Sequence, residues 1–273
     1  MKASTSIGIG VAFAGLAVGA LMEGASPAAF LNIPALLIVL GGTFGATFAG
    51  TTIEKMKLVP ALYKKAMGGD KPAMAAQLEL LVGFAERARR EGLLALDEEV
   101  AELEDEFTRK GLQLVVDGTD PELVREILEN EIDGMVGRHH SAVLPFEKAG
   151  GFAPTMGIIG TVMGLVHVLE NLDAPATLGP AISGAFIATL YGVGSANVVF
   201  LPTANKLKAM SSEEVELRSM TLEGILSIQA GDNPRVVADK LLSFIPPEER
   251  ASETDGAGEG SVGAPAEAEL AAA

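Results

Sequence analysis

The side chains with the most capacity for chemistry lie in two uncharged stretches separated by four residues. Ala149 to Leu169 carries Thr161 and His167, and Ala174 to Asn205 carries Ser183, Thr189, Tyr191, Ser195 and Asn197. Hydroxyls can replace part of a cation's hydration shell or hydrogen-bond a carboxylate, but they cannot hold a proton at neutral pH. Ion passage through a membrane calls for an ionisable group inside it, and neither stretch contains Asp, Glu, Lys or Arg. If ions cross here, the titratable acid must come from another chain. The alternative is that each hydroxyl bonds a carbonyl of its own or a neighbouring helix. Both readings stand for Thr161 and Thr189, and the second is preferred for the serines.

Other chemistry has little to stand on. The chain has no Cys and three His, with no phosphate-cradling glycine loop carrying a lysine and no His-rich metal spacing. The adjacent His139 and His140 cannot both face one metal from a helix. The expectation is therefore no enzyme, no resident metal and no cofactor. A net charge of −16 argues against nucleic-acid binding, which wants clustered positive charge. What remains is transport, scaffolding or a motor-like coupling device.

The elements that hold these side chains are read from the distribution of charge. Two more uncharged runs, Ala3 to Met22 and Gly24 to Ile53, bring the total to four, each about the 20 residues or more that a spanning helix needs. All 20 Lys and Arg lie outside the four runs, and the two short turns hold only Glu23, Glu170 and Asp173. The positive-inside bias then puts residues 54–148 and both termini in the cytoplasm. A signal peptide is the rival reading of residues 1–22, but its cleavage would break this asymmetry. The predicted fold is all-α: a polytopic membrane protein with four transmembrane helices and a helical cytoplasmic domain between the second and third. Helices 1 and 2 occupy 1–53, the cytoplasmic domain 54–148, helices 3 and 4 149–205, a cytoplasmic helical extension 206–249 and a disordered tail 250–273.

Small residues four apart permit close helix contact in lipid. Gly15 and Gly19 make such a face on the first span, and Gly41, Gly45 and Ala49 on the second. Gly160 and Gly164 flank Thr161, and Gly184, Ala188, Gly192 and Ala196 recur along the fourth span, a smooth surface against which a partner helix could turn or slide. Pro154 and Pro202, at the cytoplasmic ends of the third and fourth spans, are either hinges or helix terminators. In the cytoplasmic block, Leu78, Leu81, Val82 and Ala85 form one apolar stripe. Leu123, Ile127, Leu128, Ile132, Met135 and Val136 form a second, started by Asp120 as N-cap and Pro121. The stripes can bury on each other or on residues 206–231, which continue the fourth span to a C-cap at Gly231.

NIPALLIVLGGTFGATFAG, ARREGLLALDEE, GGFAPTMGIIGTVMGLVHVLENL and GPAISGAFIATLYGVGSANVVFLPTANKL stand in this order along the chain, and with them residues 1–245 resemble the MotA/PomA family, the larger subunit of the flagellar stator. The resemblance implies a homopentamer in the cell inner membrane around a dimer of single-span MotB/PomB chains, whose helix brings the essential Asp. It implies ion-path roles for Thr161 and Thr189, conformational coupling through Pro154 and Pro202, and contact with the rotor protein FliG through Arg89, Asp97 and Glu98. The transported cation is H+ or Na+, and Thr161 resembles the sodium-type members. An ExbB/TolQ-like energiser is the alternative; it shares the character of the last two spans but typically has three spans in all.

Overall fold

The computed structural model describes residues 4–24, 26–68, 73–173 and 175–247. The predicted tail from 250 lies outside them. Among the described residues there are nine helices and no strand: α1 Ser4–Met22, α2 Ile33–Ala49, α3 Ile53–Gly68, α4 Met74–Glu91, α5 Asp97–Ala101, α6 Glu106–Val116, α7 Pro121–Glu170, α8 Pro175–Ala230 and α9 Pro234–Leu242. α1, α7 and α8 are long and apolar enough to cross a membrane; α2, at 17 residues, is shorter.

Local chemistry sets most of the boundaries. Asn32, Asp105 and Asn233 cap α2, α6 and α9, each accepting a hydrogen bond from a backbone N–H of the first turn. Asp120 does the same for Glu122 N–H at 2.9 Å, ahead of Pro121. At the end of α8, Gly231 takes φ +73°, which allows Asp232 N–H to reach back to the Ser227 carbonyl at 3.1 Å. Neither Pro154 nor Pro202 ends a helix: α7 continues through Pro145 and Pro154, and α8 continues through Pro202. The termination reading therefore falls. A π-turn at Ala196–Phe200 widens α8 just before Pro202, where the missing N–H frees the Val198 carbonyl. Thr203 donates to the Val199 carbonyl at 2.7 Å, tying down the same turn.

The chain folds as two compact units. Of the described residues, the first holds those between 4 and 68 and between 130 and 215. One of its cores joins Ala66 to Val143, Phe146, Ala204 and Leu207; another joins Ala35 and Val39 of α2 to Ile187 and Ala188 of α8. Lys148 Nζ donates to the Gly50 carbonyl at the end of α2, and Lys208 pairs with Glu147. α1 has no buried residue, and a Cβ at Gly15, Gly19, Gly41 or Gly45 would meet nothing. Those predicted packing faces are open within the single chain; on α2 it is Gly42 that is packed, against Met156.

The second unit holds residues 73–129 and 216–247. Its core takes Leu81, Phe84 and Ala85 from α4, Leu112 and Val115 from α6, Met220, Ile225 and Ile228 from α8, and Leu241 from α9. The amphipathic helices thus bury against each other and against the extension of the fourth span. The second predicted stripe is shifted: Leu123 is 48% exposed and Val124 fully buried, while Val136 is 40% exposed. Leu128, Ile132 and Met135 remain on the inner side. Val124, Leu128, Ile132 and Met135 recur at four- and three-residue spacing, so the buried face follows the helical period from Val124 rather than from Leu123. Two ionic clusters brace the unit. Asp105 accepts from Thr108 and Arg218, and Glu223 pairs with Arg125 at 3.0 Å and Lys240 at 2.6 Å.

Candidate functional site

Thr161 on α7 and Thr189 on α8 face each other because the two helices approach at van der Waals range. A Cβ at Gly157 would stand 3.0 Å from the Ala188 carbonyl oxygen and 3.2 Å from Thr189 Cα; at Gly160 it would meet Ala188 Cβ at 2.7 Å, and at Gly164 Ala185 Cβ at 2.8 Å. On the other side, a Cβ at Gly192 would come 2.4 Å from the Ala153 carbonyl oxygen and 2.9 Å from Gly157 Cα. The small-residue faces of the two predicted spans therefore pack on each other. The surface expected to receive a sliding partner helix is largely consumed inside the chain, with Ala188, Gly192 and Ala196 all buried.

This close packing assembles four oxygens. The Thr161 hydroxyl lies 3.1 Å from the Gly157 carbonyl and 2.9 Å from the Ala185 carbonyl, and it contacts the Thr189 hydroxyl. Two hydroxyl protons serve these four oxygens, so lone pairs remain unmatched by donors. The threonines are half-buried. A small cluster of neutral oxygens between charge-free stretches of two helices can coordinate a partly dehydrated cation or accept from a carboxylic acid. It has no titratable group of its own. Thr161 bonds carbonyls of its own and the neighbouring helix, as the second sequence reading has it, and it is also joined to a second threonine across the hairpin. Ser195 donates only to the Gly192 carbonyl, at 3.2 Å, and the exposed Asn197 to the Val193 carbonyl, at 2.9 Å.

Pro154 and Pro202 are both partly buried, on α7 and α8 of the same unit. Arg89, Asp97 and Glu98 belong to the other unit, where all three are exposed. Arg89 lies in the last turn of α4 and the acids in the first turn of α5. Between them Gly92 takes φ +86°, Leu94 stands 79% exposed, and an ion pair from Arg87 to Glu99 at 2.6 Å closes the bend. Asp97 accepts from Gln113 at 3.1 Å.

Sequence reasoning missed Thr43 and Thr47. Both are buried on α2, at 0% and 1% exposure, and neither hydroxyl has a hydrogen-bond partner among the described residues. Two threonines one turn apart in an uncharged run were a readable signal. It also missed the Gly157 and Ala185 carbonyls, because backbone oxygens reach a site only through packing that residue types do not announce.

Residues 99–220 match the MotA/TolQ/ExbB proton channel family. Motility protein A of Bacillus subtilis is 39% identical over 251 residues, covering 92% of this chain and 93% of the relative. Chemotaxis protein PomA of Vibrio alginolyticus is 34% identical, covering 93% of this chain and 100% of the relative. Among solved structures, the flagellar MotAB stator complex from Bacillus subtilis matches with a TM-score of 0.86 at 38% identity, covering 92% of this chain and 98% of that one. C. jejuni MotAB matches with a TM-score of 0.86 at 31% identity, covering 91% and 97%.

Proposed function

The chain belongs to the MotA/TolQ/ExbB proton channel family, alongside the motility protein A chains, and we propose on that premise that it is the ion-conducting, torque-transmitting A subunit of a flagellar stator. It works with a MotB/PomB-like dimer of single-span chains and assembles as a homopentamer in the inner membrane, with four spans and both termini cytoplasmic. The cation, H+ or Na+, passes the Thr161–Thr189 oxygens, while the carboxylate that takes and releases it belongs to the partner. Pro154 and Pro202 permit α7 and α8 to flex as the partner acid changes charge. Arg89, Asp97 and Glu98 engage the rotor protein FliG.

The observation that carries this reading is the four-oxygen cluster on two spans without a charge of their own. Threonine and valine have nearly the same shape, so a Thr161→Val, Thr189→Val pair removes the oxygens while leaving the packing. The double variant is expected to reach the membrane at native levels and to lose swimming and reconstituted ion current. Undiminished current and swimming would leave a passive scaffold instead. Rotation speed in sodium-free medium distinguishes the two cations: undiminished speed assigns H+, and arrest assigns Na+.

A further inference from the structure

α2 begins well inside its uncharged run. The run starts at Gly24, but the helix starts at Ile33, preceded by a 3-10 turn at Pro27–Phe30 and the extended Asn32. Its 17 residues span about 26 Å at the ordinary rise, short of the roughly 30 Å of a hydrocarbon core. Non-helical backbone at membrane depth is tolerated only where protein or a water-filled cavity satisfies it.

One side chain on α8 supplies that satisfaction. The Tyr191 hydroxyl donates to the Phe30 carbonyl and accepts from Asn32 N–H at 3.3 Å. Asn32 in turn caps α2 by accepting from Ala35 N–H at 3.0 Å, and its amide nitrogen fits because residue 184 has no Cβ; one placed there would lie 2.7 Å away. Tyr191 also packs on the buried cluster of Ala35, Val39, Ile187 and Ala188. That cluster backs the threonine pair. Ala188 precedes Thr189 in the chain, and a Cβ at Gly160, beside Thr161, would touch Ala188 at 2.7 Å and Ile38 of α2 at 3.5 Å.

We infer that Tyr191 is a positioning residue for the cation site: it latches the non-helical entry of α2 onto α8, so that α2 forms a fixed wall behind the Thr161–Thr189 oxygens. This inference rests on the ion-conducting reading. Removing the Tyr191 hydroxyl leaves the Phe30 carbonyl and Asn32 N–H unpaired, loosens α2 and weakens cation binding before it weakens the stroke that follows.

The test measures rotation speed against the concentration of the driving cation, in cells whose only A subunit is this chain with its own partner. Tyr191→Phe keeps the ring and loses both hydrogen bonds. The half-saturating concentration is expected to rise at least threefold while the limiting speed stays within twofold. Val236→Ala, at a position 54% exposed in the second unit, is the control and shifts neither. An unchanged half-saturating concentration in Tyr191→Phe overturns the inference. A lower limiting speed at unchanged half-saturation also overturns it, because the role is then in assembly or packing. If Tyr191→Phe fails to accumulate, Gly184→Ala decides by the same readout, since a methyl there presses on the Asn32 side-chain amide; no shift there rejects the latch. Failure of the conducting reading looks different: the native chain itself then shows no cation dependence.

Discussion

Thr161 and Thr189 illustrate how far single residues can be read. Their type and their place in charge-free runs were legible in the sequence, and so was the absence of Asp, Glu, Lys and Arg from both runs. Their partnership was not. It depends on Gly157 admitting α8 to backbone contact, which brings the Ala185 carbonyl within 2.9 Å of the Thr161 hydroxyl. Arg89 shows the opposite balance: it is exposed, and its assignment to rotor contact rests on resemblance alone. A charge on the rim of an interface is worth on the order of 1 kcal/mol, and it acts on encounter and orientation. Arg89→Glu is therefore expected to cut stall torque by about fivefold while membrane level and ion current stay native. Torque in tethered cells, measured beside current in reconstituted membranes, checks it; loss of insertion would make Arg89 structural instead. Neighbouring Leu94 and the Arg87–Glu99 pair, which shape that bend, could not be found from periodicity because the bend turns on a positive-φ glycine.

At the scale of elements, the four-residue spacing of glycine and alanine marked faces that approach closely on α7 and α8, but the same spacing on α1 and at Gly41 and Gly45 of α2 meets nothing within the chain. It could not say which helix would approach. On α7 and α8 the faces satisfy each other, whereas on α1 the equivalent face meets nothing in the chain, and residue spacing is the same in both cases. The hairpin packing yields a sharp expectation. A methyl at residue 192 would collide with backbone, 2.4 Å from the Ala153 carbonyl oxygen and 2.9 Å from Gly157 Cα, so the helices themselves must part. Overpacking of this kind costs about 1–3 kcal/mol, and it draws Thr189 away from Thr161. Gly192→Ala is expected to abolish swimming even where the chain still reaches the membrane. Gly194→Ala has open space at its Cβ and is expected to swim normally. Swimming assays with membrane levels measured in parallel decide the matter, and a motile Gly192→Ala strain would show that the hairpin contact is slack. The π-turns in α2 and α8 left no periodic trace, since one extra residue per turn alters phase without altering composition.

The molecule as a whole divides its tasks between a first unit carrying the charge-free hairpin and a second built of charged amphipathic helices. The contrast in composition was legible; the chain segments that make up each unit were not, because α7 contributes residues 121–129 to one and 130–170 to the other. In the second unit, acid sensitivity follows from Asp105 and Glu223. Burial pushes each carboxyl up. Hydrogen bonds to Asp105 from Thr108 and Arg218, and to Glu223 from Lys240 and Arg125, outweigh it and hold both below the ordinary carboxylate range. A carboxyl whose pKa is lower folded than unfolded contributes stability above its unfolded value, about 3.9–4.3, and loses it as the pH falls through the folded value. Glu223→Gln replaces charge-assisted hydrogen bonds with neutral ones and is expected to cost about 1–3 kcal/mol at pH 7. In thermal melts of the full chain in membranes, followed by helical circular dichroism, the gap in Tm between native and Glu223→Gln protein should be widest at neutral pH, narrow as the pH falls below the unfolded value of about 4.3, and close only below the lower value of the folded protein, where the native carboxylate takes up its proton and the two side chains become alike. A gap that persists unchanged into that range would mean that Glu223 stabilises the unit through shape alone, and the ionic cluster with Arg125 and Lys240 would lose its role.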